Sequence, residues 1–429
     1  MVSKVEDLGL GVEYGYMSEE ELARFRVLKN MISTLYGFQK VRTAMDNRLA
    51  GLIKEYIDFR EIAERVKAEK SEEAIENFQK RYKINVELSS VEEIEKKIRR
   101  SDNLGHFAWL LGKYSEFSEI ANMAAIIHEA RGVEDKTEKQ LESWLHNYEI
   151  YTKWMKHVSG IKAKLAGGVI SSIRTPLRFQ NVSKLWQYSG LGHIYFCTEC
   201  MKYITVRKPM TIGGETRTVL TFGGRSAAEA HADGHGLKYD DCIESMAQRK
   251  VEGIVGNWNT FMRTTCWKIA ESFVRRGKYY RRAYEIFKAK ELEKQQQPQL
   301  KKLELAYGWV PYDEDLRKDI MKKFVCSACG YRDSKYMTKC PRCGTRIQAV
   351  ITKERAAILK KMGYTEIEVV PSGRIVESRA RRKVAKLFIS HVYDVWMRQL
   401  GHDPGKPYAN KILGHNFYPP PMPDESGKI

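Results

Sequence analysis

The chain has 12 prolines, and the first of them is Pro176. Proline removes a backbone donor and clashes with the preceding helical turn, so its absence leaves long helices open to everything before that point. The apolar positions there support helix. Leu22, Phe25, Leu28, Ile32, Leu35, Phe38, Met45, Leu49, Leu52 and Tyr56 recur mostly at three and four residues, the period of one helical face. The pattern predicts one or two long amphipathic helices from Glu19 to about Lys70, with a break at Gly37 or Gly51. Shorter helices are expected over Ser71–Tyr82, Ser90–Arg100, Asn103–Ala130 and Thr137–Met155, and Ser90-Val91-Glu92-Glu93 reads as a capping box. Such a region can be a helical bundle or a coiled-coil dimerisation arm, which would make a second copy of the chain a partner. Nothing in it reads as catalytic. Asp46 and Asp58 sit within a helical pattern, whereas a two-metal nuclease would carry its carboxylates at strand ends.

Charge divides the chain near the same place. Residues 1–150 hold 23 Lys and Arg against 28 Asp and Glu; residues 151–429 hold 50 against 26. An excess of that size in one segment favours a polyanionic partner, and nucleic acid is the expected one. No apolar run approaches the ~18 residues of a membrane span, and the N-terminus lacks the apolar core of a signal peptide, so a cytoplasmic, nucleoid-associated protein with no membrane partner is expected.

The basic part opens on YEIYTKWMKHVSGIKAKLAGGVISSIRTPLRFQNVSKLWQYSGLG, from Tyr148 to Gly192. It reads as a helix ending at Ser159-Gly160, a turn through Ile161 and Lys162, a second helix from Ala163 to about Ile173 and a third near Val182–Tyr188. That is the outline of a helix-hairpin-helix, whose turn glycine and helix N-terminus can approach a DNA phosphate without reading sequence. The candidate contacts in this stretch are Gly160, Ile161, Lys162 and Lys164, followed by Arg174, Arg178 and Lys184. Further on, a helix over Thr260–Arg276 with Asn257-Trp258-Asn259 as its cap interleaves basic and aromatic residues. Arg263, Lys268, Arg275, Arg276, Arg281 and Arg282 extend the candidate phosphate contacts.

Of eight cysteines, four form Cys326-x2-Cys329-x10-Cys340-x2-Cys343, with Gly330 and Gly344 following the second cysteine of each pair. This is the spacing of a zinc ribbon, and four thiolates leave no open position, so its zinc is structural. A second zinc site is a candidate. Cys197-x2-Cys200 precedes a strand-turn-strand stretch with Gly213-Gly214 at the turn, then His231-x3-His235 and Cys242. Glu291–Gln299 reads as a polar linker, and Ser378–Leu400 as a last amphipathic helix with Leu387, Val392, Val395 and Trp396 on its core side.

The expected fold class is therefore mainly α. Residues 1–147 form the helical bundle or coiled coil; 148–290 the helix-hairpin-helix domain with a small β insert at 193–245; 291–323 a linker and helix. Residues 324–350 form the zinc ribbon, 351–402 a C-terminal basic helical segment, and 403–429 a Pro-rich tail.

With these residues in view, the segment from Tyr148 to Gly192 resembles the C-terminal domain of the insertion-sequence transposases typed by the IS-one-ten element. The matching pieces are Gly160-Ile161, Leu165-Ala166-Gly167-Gly168, Arg178-Phe179 and Leu185-x-x-Tyr188-x-Gly190-Leu191-Gly192. After the cysteine-containing insert, Gly256-Asn257-x-Asn259 with Arg263 and Ala270 resembles that family's next helix, and WMRQLGH and ANKILGH resemble tails of archaeal relatives. The resemblance implies DNA binding during transposition or recombination, with double-stranded DNA, a guide RNA and a nuclease partner as candidate partners. The family's DEDD RNase H-like domain has no counterpart here, and Lys162 stands where a second turn glycine is usual. The family's nucleophilic serine corresponds best to Ser226 in Thr221-Phe222-Gly223-Gly224-Arg225-Ser226. The main expectation is a zinc-containing DNA holder. The alternatives are an active transposase or recombinase and an RNA-binding or adaptor zinc-ribbon protein.

Overall fold

The computed structural model describes residues 2–3, 17–101, 103–212, 215–321, 324–325, 332–333, 340–344, 349–405, 418–424 and 429. The chain is mainly helical with small sheets, and it divides into two compact units: Glu19–Asn147, and Met1–Ser18 with Tyr148–Ile429. In the second unit's leading segment, β1 (Val2–Ser3) pairs antiparallel with β2 (Met17–Ser18).

The first unit is α1 (Glu19–Tyr56), α2 (Phe59–Lys67), α3 (Glu72–Tyr82), α4 (Val91–Arg99), α5 (Leu104–Tyr114) and α6 (Ser118–Leu145). Each short helix starts on a side-chain cap. Asp58 accepts from the Arg60 and Glu61 amides, Ser71 from Ala74 and Asn103 from His106. The capping box at Ser90 forms in both directions, Ser90 amide to Glu93 at 2.9 Å and Glu93 amide to Ser90 Oγ at 3.2 Å. Phe78, Ile94, Leu110, Leu111, Ala124 and Ile127 are fully buried in a common core. The expected break at Gly37 or Gly51 does not occur. Helix α1 runs through both, because burial of Leu28, Ile32, Leu35 and Leu49 outweighs the ~1 kcal/mol that a helical glycine costs. The chain breaks instead before Asp58, which offers the next helix a cap. The Asn103–Ala130 expectation is likewise split, at Ser115–Phe117, and α6 continues through Gly132 to Leu145.

The second unit is built around its last helix. Its elements begin with α7 (Glu149–Lys153), α8 (Ala163–Ile173), α9 (Val182–Tyr188), β3 (His193–Cys197), β4 (Lys202–Tyr203), β5 (Thr205–Ile212) and β6 (Glu215–Phe222). They continue with α10 (Arg225–Gly234), α11 (Tyr239–Cys242), β7 (Ile243–Ala247), α12 (Thr260–Arg276) and α13 (Lys278–Glu293). Then come β8 (Gln299–Lys302), β9 (Trp309–Pro311), α14 (Glu314–Met321), β10 (Phe324–Val325), β11 (Arg332–Asp333), α15 (Lys353–Lys361), β12 (Glu366–Pro371) and α16 (Gly373–Gln399). Val384, Ala385, Phe388, Ile389 and Val392 of α16 are buried, and α7, α9, α12 and α13 pack on it. Phe388 is ringed by Trp154, Phe273 and Tyr280 at centroid distances of 5.3–5.7 Å. Val392, Val395 and Trp396 are core as expected, whereas Leu387 is half-buried.

Three residues near the end of the chain close this core through their carbonyls. Pro421 accepts from the Trp154 indole at 2.8 Å, Pro419 from the Tyr279 hydroxyl at 3.3 Å, and Tyr418 from His391 Nε2 at 2.8 Å. Because Nε2 must donate to that carbonyl, His391 Nδ1 accepts from the Tyr280 hydroxyl, 2.7 Å away. Burial holds this imidazole at a pKa of about 4, so it packs as a neutral ring.

Besides the two-residue pairs β1–β2 and β10–β11, three small antiparallel arrangements decorate the helices among the described residues. One sheet has the order β4-β3-β7; β5 and β6 form a long hairpin, Thr205 opposite Phe222 through Ile212 opposite Glu215. Its tip, Gly213-Gly214, lies outside the described residues. The third sheet, β8-β12-β9, was not expected: residues 291–323 read as linker and helix, and 351–402 as helical. Its strands bracket the 324–350 segment in sequence, and Leu303, Trp309, Ile351, Leu359 and Val369 form its core.

Candidate metal centre and basic surface

Strand β3 ends at Cys197, and the turn that follows carries Cys200 before β4 begins. Helix α10 carries His231 in its last turn, and His235 follows one turn later at its C-cap. The four ligand atoms lie within 4.8 Å of one another. Cys200 Sγ is 3.3 Å from His231 Nε2, which is 3.1 Å from His235 Nε2, with the two rings edge to face. Bonds of ~2.0–2.3 Å to a tetrahedral metal imply ligand–ligand edges of about 3.3–3.8 Å, and these separations lie close to that range. The 30 residues between the two halves are largely the β5–β6 hairpin, which returns the chain so that α10 packs on β3. A wide gap in sequence is thus a short gap in space.

Cys197 is fully buried, Cys200 and His231 are half-buried and His235 is exposed, so the group is walled on the protein side and open to solvent on the other. Cys242 is buried in the same small core, with Sγ 3.6 Å from the Lys238 carbonyl, and falls outside the four-atom group. Burial, then the neighbouring Cys197 thiol, raises the Cys200 pKa; burial, then Cys197, also raises that of Cys242. A bound cation reverses this preference by stabilising thiolate. These residues can therefore hold a metal ion.

In the 324–350 segment, Cys326 and Cys329 lie outside the described residues. Cys340 is buried in the core of the β8-β12-β9 region, and Cys343 is exposed. A tight turn joins them, with the Gly344 amide bonded to the Cys340 carbonyl at 2.8 Å and Gly344 at φ +69°.

The turn before α8 has Gly160 at φ +92°, a conformation that favours glycine. Its carbonyl accepts from Ser272 Oγ at 2.6 Å, and Ser159 Oγ donates to the Arg276 carbonyl at 2.9 Å, tying the turn to the end of α12. Gly168 lets α8 and α12 approach closely, since a Cβ there would stand 3.0 Å from Thr265 Cγ2. Lys162 occupies the N-cap position of α8 with no side-chain cap and is exposed. Lys268 on α12 comes close to Lys164, and burial followed by that like charge lowers its pKa. Lys162, Lys164 and Lys268 are thereby gathered at the positive end of α8. Arg275, Arg276, Arg281 and Arg282 are exposed where α12 passes into α13; Arg275 pairs with Glu271 and Arg281 with Glu285.

Other candidates are placed differently. Ile161 is buried in the core. Arg178 is buried, donates to the Ser172 and Ile173 carbonyls at 3.0 and 3.3 Å and lies over Tyr188, so it braces the loop after α8. Arg174, half-buried, takes φ +62° at the end of α8, and Lys184 is exposed on α9. Arg263 is half-buried and donates to the Gln248 carbonyl at 2.8 Å. Ser226 is exposed in the first turn of α10, and among the described residues no base is hydrogen-bonded to it. Sequence reasoning passed over Arg382 and Lys386 of α16, which reads only as a helix with a basic start; their spacing of four, one helical turn, is the one signal the sequence holds. No helix of the described residues is long and apolar enough to cross a membrane.

No protein-family model, curated protein or solved structure matches the chain.

Proposed function

We propose that this chain is a zinc-binding protein that holds double-stranded DNA through its phosphates and descends from the insertion-sequence transposases typed by the IS-one-ten element. The observation that carries the DNA reading is the gathering of Lys162, Lys164 and Lys268 at the uncapped start of α8, within a segment of large basic excess. Uncapped helix N–H groups and clustered lysines suit a phosphate oxygen and read no base. Zinc is the metal that a donor set of two thiolates and two imidazoles suits, and four protein ligands make its role structural. In this reading the zinc clamps the insert between α9 and α12, and the Cys326–Cys343 ribbon holds a second zinc.

The test is duplex binding as a function of salt. With six to ten phosphate contacts, affinity falls by about three to five decades between 50 and 200 mM salt. An affinity that barely changes, or a strong preference for RNA, overturns the reading. The recombinase alternative requires Ser226 to become activated in a larger assembly; a covalent adduct with supercoiled DNA that disappears in Ser226→Ala would establish it.

A further inference from the structure

The face of α16 toward α9 and α12 carries a group of like charges that no carboxylate among the described residues neutralises. Arg382 donates to the Leu191 carbonyl at 2.9 Å and to the Gly192 carbonyl. One turn further on, Lys386 Nζ stands 3.9 Å from the centroid of the Trp186 ring. Arg263 arrives from α12, its aliphatic stem lying across Gly190 so closely that a Cβ there would be 2.7 Å from Cδ. Among the described residues, no carboxylate pairs with Arg263, Arg382 or Lys386. The neighbouring cations on α16 are partnered: Arg379 and Lys383 with Glu291, and Arg381 with Glu377.

Burial and mutual repulsion both act on this cluster. Burial, then Arg263 and Arg379, lowers the Arg382 pKa to about 10; burial, then Arg382, lowers that of Lys386 to about 8. Half-buried cations held together without an anion cost stability unless something outside the chain completes them. Backbone carbonyls and an indole face orient the groups but carry no full negative charge.

We infer that Arg263, Arg382 and Lys386 form a binding site for a phosphate group, with Trp186 and the Gly190–Gly192 backbone fixing its walls. Phosphate fits because a guanidinium fork and a lysine point charge together match a tetrahedral dianion or a backbone phosphodiester. Its residues are distinct from Lys162, Lys164 and Lys268 at the start of α8. If the phosphate belongs to DNA, the inference deepens the proposed function and rests on it; if it is a free phosphate compound, it does not.

The experiment measures binding of inorganic pyrophosphate and of a 20-base-pair duplex to the full chain and to three variants, with zinc content and Tm recorded for each. Lys386→Met is expected to weaken pyrophosphate binding at least tenfold and to leave Tm unchanged or raised, since it removes an uncompensated charge. Lys383→Met, whose lysine is paired with Glu291, is expected to leave pyrophosphate binding unchanged. If the site holds a DNA phosphate, Lys386→Met also lowers duplex affinity and reduces the magnitude of the log–log salt slope by about 1. If it holds a free phosphate compound, pyrophosphate binding is lost and the duplex is unaffected. Unchanged binding of both ligands in Lys386→Met overturns the inference while leaving the DNA reading intact. Should Lys386→Met lose its zinc or its fold, Arg263→Gln is the second variant, and unchanged binding of both ligands there has the same meaning.

Discussion

The two units differ at the places where their buried or half-buried cations sit. Where α1 meets α6 in Glu19–Asn147, and at Arg65, the cations are matched. Arg42 of α1 bonds Glu134 of α6 at 2.8 Å and Asp46 at 2.6 Å, Arg131 reaches Asp46 at 3.2 Å, and Arg65 meets Glu61 at 2.6 Å. In Tyr148–Ile429 lysines crowd at the start of α8, and Arg263, Arg382 and Lys386 have no carboxylate among the described residues. The pairs Arg42–Glu134 and Arg131–Asp46 are directed inward, to the first unit's own helix packing. At Arg263, Arg382 and Lys386, which meet no carboxylate among the described residues, electrostatic free energy stays available for a ligand.

That contrast can be broken most forcefully at the metal group. Structural zinc supplies on the order of 10 kcal/mol in small metal-dependent segments. Cys200→Ser, or chelation, is therefore expected to remove one zinc per chain and to abolish hydrogen-exchange protection over β3–β7. Protection over Glu19–Asn147 should persist; an intact insert without metal would show that the four side chains merely pack.

Acid comes next. His391 is held neutral at about 4, against an ordinary value of 6.5. Between those values the unfolded chain binds more protons than the native one, so stability rises with pH there and is lost as pH falls from 6.5 toward 4. The loss is about 3 kcal/mol for this one ring. The second unit should therefore melt first on acidification, and His391→Gln should reduce the difference, with His193 and Glu377, whose pKa values are also lowered in that unit, keeping the rest.

Within the first unit, Glu134→Gln leaves Arg42 with Asp46 alone and weakens the α1–α6 contact, at a cost of about 2 kcal/mol measured by urea unfolding. An unchanged midpoint would remove this pair from the account of how the helices are held. Smallest is Ser90→Ala, which deletes the capping box for about 1 kcal/mol and should leave duplex affinity untouched.

Much of the helical unit was readable because its signals are local. Ser90 and Glu93 are three residues apart, and the absence of proline needs no partner to interpret. The metal group was readable as residues, since thiols and imidazoles in close pairs have few other uses, although the distance between the pairs became small only through the hairpin. The β8-β12-β9 sheet was not: Gln299–Lys302 and Trp309–Pro311 are too short to show a period, and their partner strand lies more than fifty residues away. Arg382 and Lys386 were hidden for a related reason. A basic run at a helix start looks solvated until the packing of Trp186 and Gly190 is known.

The carbonyls of Tyr418, Pro419 and Pro421 have a consequence in time. A ribosome at ~5–20 residues per second releases Glu19–Asn147 early, whereas Trp154 waits for an acceptor made roughly 13–53 s later, Tyr279 roughly 7–28 s and His391 only about 1–5 s. The first unit can be finished while the second is still a partly assembled core with unanswered donors. Any agent that engages the nascent chain in that interval meets the basic half before its aromatic centre is closed.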